Sequence, residues 1–311
     1  GILAVSEIRF GAGAPVRVYA WDGSAWLLED TTIWNDADYV PIHYGDVPTH
    51  HIDGLSVALS ANGQVLVAGH KYEDSGATDT GEVRVFGHIG ARLPPPPPPP
   101  PPLPRTSLGR ERRIGDDFVG EHTGDQLGHR VVLSADGTVL AMSYAGRSSY
   151  RGMVRVYAWD HVAAAWVQRG ADIYGTQNSL SVTNRGLALS HDGTIMAMGH
   201  TASATEWVDH ETRVFQWTNG AWVQMGTDIP GASTGNYEGA SVALSGNGLI
   251  LATGAPYHGD GDHAGTGNVL YRGHVRVWTW DGVAETWTQR GADVDGEAPS
   301  DQFGFTVALS D

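Results

Sequence analysis

Cysteine is absent from this 311-residue chain, so no disulfide staples it, no zinc–thiolate site can form and no thiol nucleophile exists. Long apolar runs are missing too, and no stretch reaches the roughly 18 residues a membrane-spanning helix requires. Positive charge is scarce: 19 Lys and Arg face 35 Asp and Glu, a formal net charge of −16. Such a surface repels nucleic-acid phosphates and is compatible with cations and with a soluble, self-repelling exterior. No Asn-x-Ser/Thr sequon occurs, so N-glycosylation is not expected. The 14 histidines show no metal-binding helical spacing, and no nucleophile is paired with a base along the chain. The opening "GILAVSEIRF", without Met or a leader, reads as a processed chain or a piece of a longer one.

Glycine and tryptophan, at 42 and 11 residues, are abundant, and they fall into repeats. "SVALSANG" from Ser56 returns as "RVVLSADG", "GLALSHDG", "SVALSGNG" and "TVALSD", with landmark leucines at Leu59, Leu133, Leu189, Leu244 and Leu309. A second phrase, "VRVYAWDGSAW" from Val16, returns from Val83, Val154, Thr212 and Val275. In it Arg17, Arg84, Arg155, Arg213 and Arg276 alternate with valines, which predicts strands with one buried face and the arginines on the solvated one. Asn-Gly and Asp-Gly dipeptides after the first phrase predict tight hairpins. Four strands per repeat predict an all-β fold: a β-propeller, five four-stranded blades with N/C-terminal strand closure, plus an inserted polyproline II segment. The closure expectation rests on the join of "VALSD" to "GILAVSE", which reads like "VVLSADGTVLAMS". The whole chain is then one propeller, with repeats near 1–55, 56–130, 131–185, 186–240 and 241–311, and the rival reading is a cut from a longer array.

The repeats resemble the FG-GAP family of propeller repeats. Phe303-Gly304 with Val307-Ala308-Leu309 matches the "FG" strand and Gly254-Ala255-Pro256 the "GAP" turn, while Leu127-Gly128 is a degenerate copy. The resemblance implies an extracellular or cell-surface location, adhesion or assembly, and in many members calcium in the loop after the GAP turn. The calcium candidates are Asp260 and Asp262 in "YHGDGDHAGTGN", with a polar hairpin loop as the plainer reading. "KYEDSGATD" is a weaker calcium candidate. "LSADG" fails the Ser-x-Asp-x-Gly spacing of the sialidase box, because Asp136 and Gly137 are adjacent.

Eight tryptophans stand at regular places. Trp21, Trp159, Trp217 and Trp280 end the third strands, and Trp26, Trp166, Trp222 and Trp287 lie on the fourth. They are expected to pack between blades, with sugar stacking as the alternative.

One repeat carries an insert of roughly 18 residues at 91–108, read from the 74-residue spacing of its leucines against 55 or 56 in its neighbours. It holds Pro94, Pro95, Pro96, Pro97, Pro98, Pro99, Pro100, Pro101, Pro102 and, after Leu103, Pro104. Nine prolines in a row cannot join a ladder and are expected to form a stiff rod of about 28 Å at the blade rim. The tract resembles those of hydroxyproline-rich cell-wall and matrix glycoproteins, which implies O-linked glycans. A spacer or a ligand for a partner's aromatic groove are the other readings. Taken together these observations lead to the expectation of a non-enzymatic extracellular subunit of a fibre or surface layer. In that reading it self-associates or meets other matrix proteins through the proline tract. A carbohydrate-binding lectin or adhesion module is the alternative, and a hydrolase or lyase the third reading.

Overall fold

The computed structural model describes residues 2–6, 16–21, 26–30, 56–61, 65–70, 81–87, 112–146, 152–175, 180–202, 211–232, 237–259, 271–297 and 301–309. The described residues form strands and turns, with no helix long and apolar enough to cross a membrane. Five antiparallel sheets follow one another along the chain. The first holds β1 (Ile2–Ser6), β2 (Val16–Trp21) and β3 (Trp26–Asp30). The second holds β4 (Ser56–Leu59), β5 (Val65–His70), β6 (Glu82–Gly87), β7 (Arg112–Arg113) and β8 (Phe118–Val119). The third holds β9 (Leu127–Leu133), β10 (Val139–Tyr144), β11 (Met153–Asp160), β12 (Ala165–Gln168) and β13 (Ile173–Tyr174). The fourth holds β14 (Leu180–Leu189), β15 (Ile195–Ala202), β16 (Glu211–Thr218), β17 (Ala221–Gln224) and β18 (Ile229–Pro230). The fifth holds β19 (Ser241–Leu244), β20 (Ile250–Ala255), β21 (His274–Asp281), β22 (Thr286–Gln289) and β23 (Val294–Asp295).

Each of the last four sheets is the expected four-strand meander with one correction. The fourth strand breaks, and its second piece (β8, β13, β18 or β23) pairs with the beginning of the third strand. The sheets stack like propeller blades, with β4, β9, β14 and β19 successive neighbours. The first sheet has three strands. Phe303 and Gly304 lie against the fifth sheet, where Phe303 bridges Gly273 and the Ser241 hydroxyl donates to Gly304 O at 2.7 Å. Leu127 bridges Gly81 in the same way at the second sheet. Among the described residues no pairing joins 303–309 to β1, so the expected strand closure is not formed there.

The recurring "LS-x-Asp/Asn-Gly" phrase has a physical job. Ser134 Oγ donates to Asp136 Oδ1 at 2.6 Å and accepts Val139 N–H at 2.9 Å, and Thr138 N–H also reaches Asp136. Ser190 with Asp192, and Ser245 with Asn247, repeat this staple. The turns then bond to each other: Ala61 N–H donates to Ala135 O, Ala135 N–H to His191 O and His191 N–H to Gly246 O, each at 2.8 Å. Gly137, at φ 75°, has no room for a side chain because a Cβ would sit 2.8 Å from Val65 of the preceding sheet.

The tryptophans clamp neighbouring sheets, as expected. Trp159–Trp166, Trp217–Trp222 and Trp280–Trp287 each pair with centroids 5.4 Å apart. Trp166, Trp222 and Trp287 donate their indole N–H to Ile114 O, Arg169 O and Met225 O, all on the preceding sheet. Apolar clusters fill the spaces between sheets, for example Val83, Leu127, Leu140, Met142 and Met153 between the second and third.

Candidate functional site

In an antiparallel meander, connections alternate between the two ends of the sheet. The Asn/Asp-Gly turns and the tryptophan hairpins therefore share one face. The connections from second to third strand, and from one sheet to the next, share the other. The candidate site lies on this second face, at the fifth sheet.

Its origin is visible by aligning the third and fifth sheets through their pairing. Tyr144 opposes Met153 and Met142 opposes Arg155 in one, and Ala255 opposes His274 and Thr253 opposes Arg276 in the other. Leu127-Gly128 aligns with Glu238-Gly239. The third sheet thus buries Leu127, Met142 and Met153, all with no exposed surface. The fifth buries Glu238, Thr253 and His274 at the same three positions, also at 0% exposure. Thr253 Oγ1 donates to Glu238 Oε1 at 2.6 Å, Trp278 Nε1 donates to Thr253 Oγ1 at 3.2 Å, and His274 Nε2 lies 2.8 Å from Glu238 Oε2. A carboxylate only accepts, so it holds the imidazole proton on Nε2. His274 Nδ1 is buried with no hydrogen-bond partner among the described residues.

Around this trio stand further groups. His258 follows β20 in a turn, its N–H donating to Ala255 O, and its ring lies against that of His274 with centroids 4.2 Å apart. Burial first, then the neighbouring His274, pulls the His258 pKa below its usual value, so its imidazole is neutral at pH 7. Tyr237, Tyr257 and Tyr271, all half-buried, make a corner beside it. Arg276 holds Asp293 at 2.9 Å and lies 3.9 Å from Glu238.

Four of the five arginines correct the sequence expectation, since Arg84, Arg155, Arg213 and Arg276 do not face solvent, while the Arg17 side chain lies outside the described residues. Arg84 and Arg213 are buried, and Arg155 and Arg276 are nearly so. Arg84 pairs with Glu82, Arg155 grips both oxygens of Asp172, and Arg213 donates to Tyr174 O at 2.6 Å. The guanidinium of Arg155 holds the Asp172 carboxyl below the usual range. The period-two pattern is right, but the face that it assigned to water is turned toward the preceding sheet, where Arg155 meets Glu121 and Arg213 meets Tyr174 O. In the fourth sheet, buried His200 touches Arg213 through Nε2 at 3.2 Å, and burial, then Arg213, pushes its pKa down to about 3.

The sites anticipated from sequence fall elsewhere. Pro94 to Pro102 and Pro104 lie outside the described residues. The strands on either side, β6 and β7, pair as third and fourth strands of one sheet. The calcium candidates Asp260 and Asp262 are also outside them, and among the described residues no group of three acidic or histidine side chains could hold a metal ion. Sequence reading missed Glu238, Thr253 and His274. The available signal was Glu238-Gly239, a carboxylate standing in the "FG" position.

No protein-family model matches the chain, and no curated protein is similar to it by sequence. Solved structures share its fold. A proposed 6-phosphogluconolactonase of Bacteroides fragilis NCTC 9343 superposes with a TM-score of 0.53 at 14% identity, over 92% of this chain and 66% of that one. A second, from Bacteroides uniformis ATCC 8492, gives 0.51 at 12% identity, over 96% and 83%. The Dos1 propeller gives 0.46 at 12% identity, over 92% and 67%. This chain thus spans just under two thirds of the first of these. The likeness corrects the expectation of a fibre or surface-layer subunit and its lectin or adhesion alternative, because two solved proteins of similar fold carry an enzyme's name.

Proposed function

We propose that the chain is an enzyme-like propeller that hydrolyses a cyclic ester at the fifth sheet. The observation that carries this reading is the buried Glu238–Thr253–His274 network in a place where the same repeat elsewhere holds Leu127, Met142 and Met153. An ionisable pair out of water is costly, and a Leu–Met–Met core would be at least as stable, so stability alone does not account for it. The lactonase name carried by two solved proteins of similar fold supports the reaction class.

In this reading Glu238 orients His274, and His274 backs His258. Neutral His258 takes a proton from water as the water oxygen bonds to the lactone carbonyl carbon. The ring C–O bond then breaks, and the departing ring oxygen takes that proton back, leaving a hydroxy acid. Positioned acid–base groups of this kind contribute about 10²–10⁴ in rate. Background-corrected lactone hydrolysis by the wild type and by His258→Gln tests it. A loss of about a hundredfold or more is expected. An equal rate in the variant, or no hydrolysis by the wild type across a lactone panel, overturns it.

The proposal includes a five-bladed ring built on FG-GAP-like repeats. The Pro94–Pro102 tract keeps its reading as a docking segment for a partner's aromatic groove, and the location outside the cell is retained with it.

A further inference from the structure

Among the described residues a corner of three tyrosines stands at the fifth sheet. Tyr257 aligns with Gly146 of the third sheet, where a Cβ would lie 1.7 Å from Gly124 O. Backbone fills that spot in the third sheet, and an aromatic ring occupies it in the fifth. Tyr237 aligns with Gln126, and both are left-handed, at φ 59° and 51°. A bulky aromatic is unfavourable in that region, so its presence there needs a cause beyond the turn. Tyr237 and Tyr257 have centroids 4.9 Å apart at 59°, and Tyr257 and Tyr271 5.2 Å apart at 89°. The rings touch one another, which leaves no gap between them for a caged cation. Their outer faces form a bent apolar wall edged with phenol oxygens, suited to the C–H face and hydroxyls of a sugar-like ring.

Charge decides the next point. Arg276 is committed to Asp293, and Arg272 is itself partnered. Glu238 lies inside, and Asp295 on β23 pairs directly opposite His274. A phosphate entering here would meet the carboxylates of Glu238 and Asp295 and an arginine, Arg276, already held by Asp293.

We infer that the site takes a neutral cyclic polyol ester, a sugar lactone without a phosphate group, stacked on Tyr257. This rests on the hydrolase reading for the reacting group, but its test is one of binding. Titration calorimetry compares gluconolactam, an inert neutral lactone analogue, with its 6-phosphate. The neutral lactam is expected to bind the wild type at least tenfold more tightly. Tyr257→Leu is expected to weaken it at least tenfold, and Tyr257→Phe to retain it. If Tyr257→Leu does not fold, Tyr271→Leu takes its place with the same expectation. Equal or tighter binding of the phosphorylated lactam, no binding of either, or indifference to the tyrosine variants overturns the inference. Binding of the neutral lactam without hydrolysis of any lactone would uphold the ligand class and sink the catalytic assignment alone.

Discussion

The third and fifth sheets share a scaffold and differ in what it encloses. Arg155 with Asp172 and Gln168 in one matches Arg276 with Asp293 and Gln289 in the other. The tryptophan pairs, the left-handed glycines and the interlocking turns also match. On this common frame Leu127, Met142, Met153, Gln126 and Gly146 become Glu238, Thr253, His274, Tyr237 and Tyr257. Repeats supply their own control: where one copy is filled with apolar side chains, a polar network in another is not a requirement of the fold. The Arg–Asp pairs, present in both sheets, belong to the scaffold. The Glu–His pair, present in one, belongs to the site.

The comparison can be broken most forcefully by substituting the network. His274→Met alone strands a buried carboxylate and is expected to cost about 3–5 kcal/mol, read by chemical denaturation. Glu238→Leu, Thr253→Met and His274→Met together restore the third sheet's core. That triple variant is expected to recover stability to the wild-type level or above while losing lactone hydrolysis. A triple variant as unstable as the single one would mean that the two interiors are not interchangeable.

Acid probes the fourth sheet. The unfolded chain binds a proton at His200 near pH 6.5, and the folded chain refuses it until about pH 3. The unfolded state therefore holds more protons across this window, and stability falls as pH drops from about 6.5 toward 3. His200→Met is expected to flatten that part of the stability–pH curve, measured by thermal melts. Arg213 and Glu211, which face His200, set the background slope.

Trp166→Phe removes the indole N–H donated to Ile114 O and is expected to cost about 1–3 kcal/mol. Trp287→Phe should cost a similar amount, because its bond to Met225 O is the same clamp. Unequal losses would show that the sheet interfaces are not equivalent. The smallest effect is expected from deleting residues 91–108. Lactone hydrolysis should be unchanged, since β6 and β7 remain able to pair. A hydrolysis rate that collapsed on deletion would tie the proline tract to the site.

Much of this architecture was legible from local pattern. The Asp/Asn-Gly turns, the period-two strands and the tryptophan spacing each report a short-range requirement, and among the described residues the turns at Gly137, Gly193 and Gly248, the strands and three tryptophan pairs appear where the sequence placed them. The arginines were misread because alternation reveals which residues share a face, not what covers that face. The Glu238–His274 pair was also beyond such reading, because its members lie 36 residues apart and meet only when a connection folds back over the second face.

By itself the sequence determined the strand repeat, the turn chemistry and the isolation of the proline tract between paired strands, since each depends on neighbours along the chain. Only the tertiary structure decided that Arg84 and Arg213 are buried, that the first sheet keeps three strands among the described residues, and that the fifth sheet encloses a Glu–Thr–His network where the third holds apolar side chains. Those outcomes depend on which segments stack across sheets, where burial converts an ordinary Glu or His into a costly group that must find its partner.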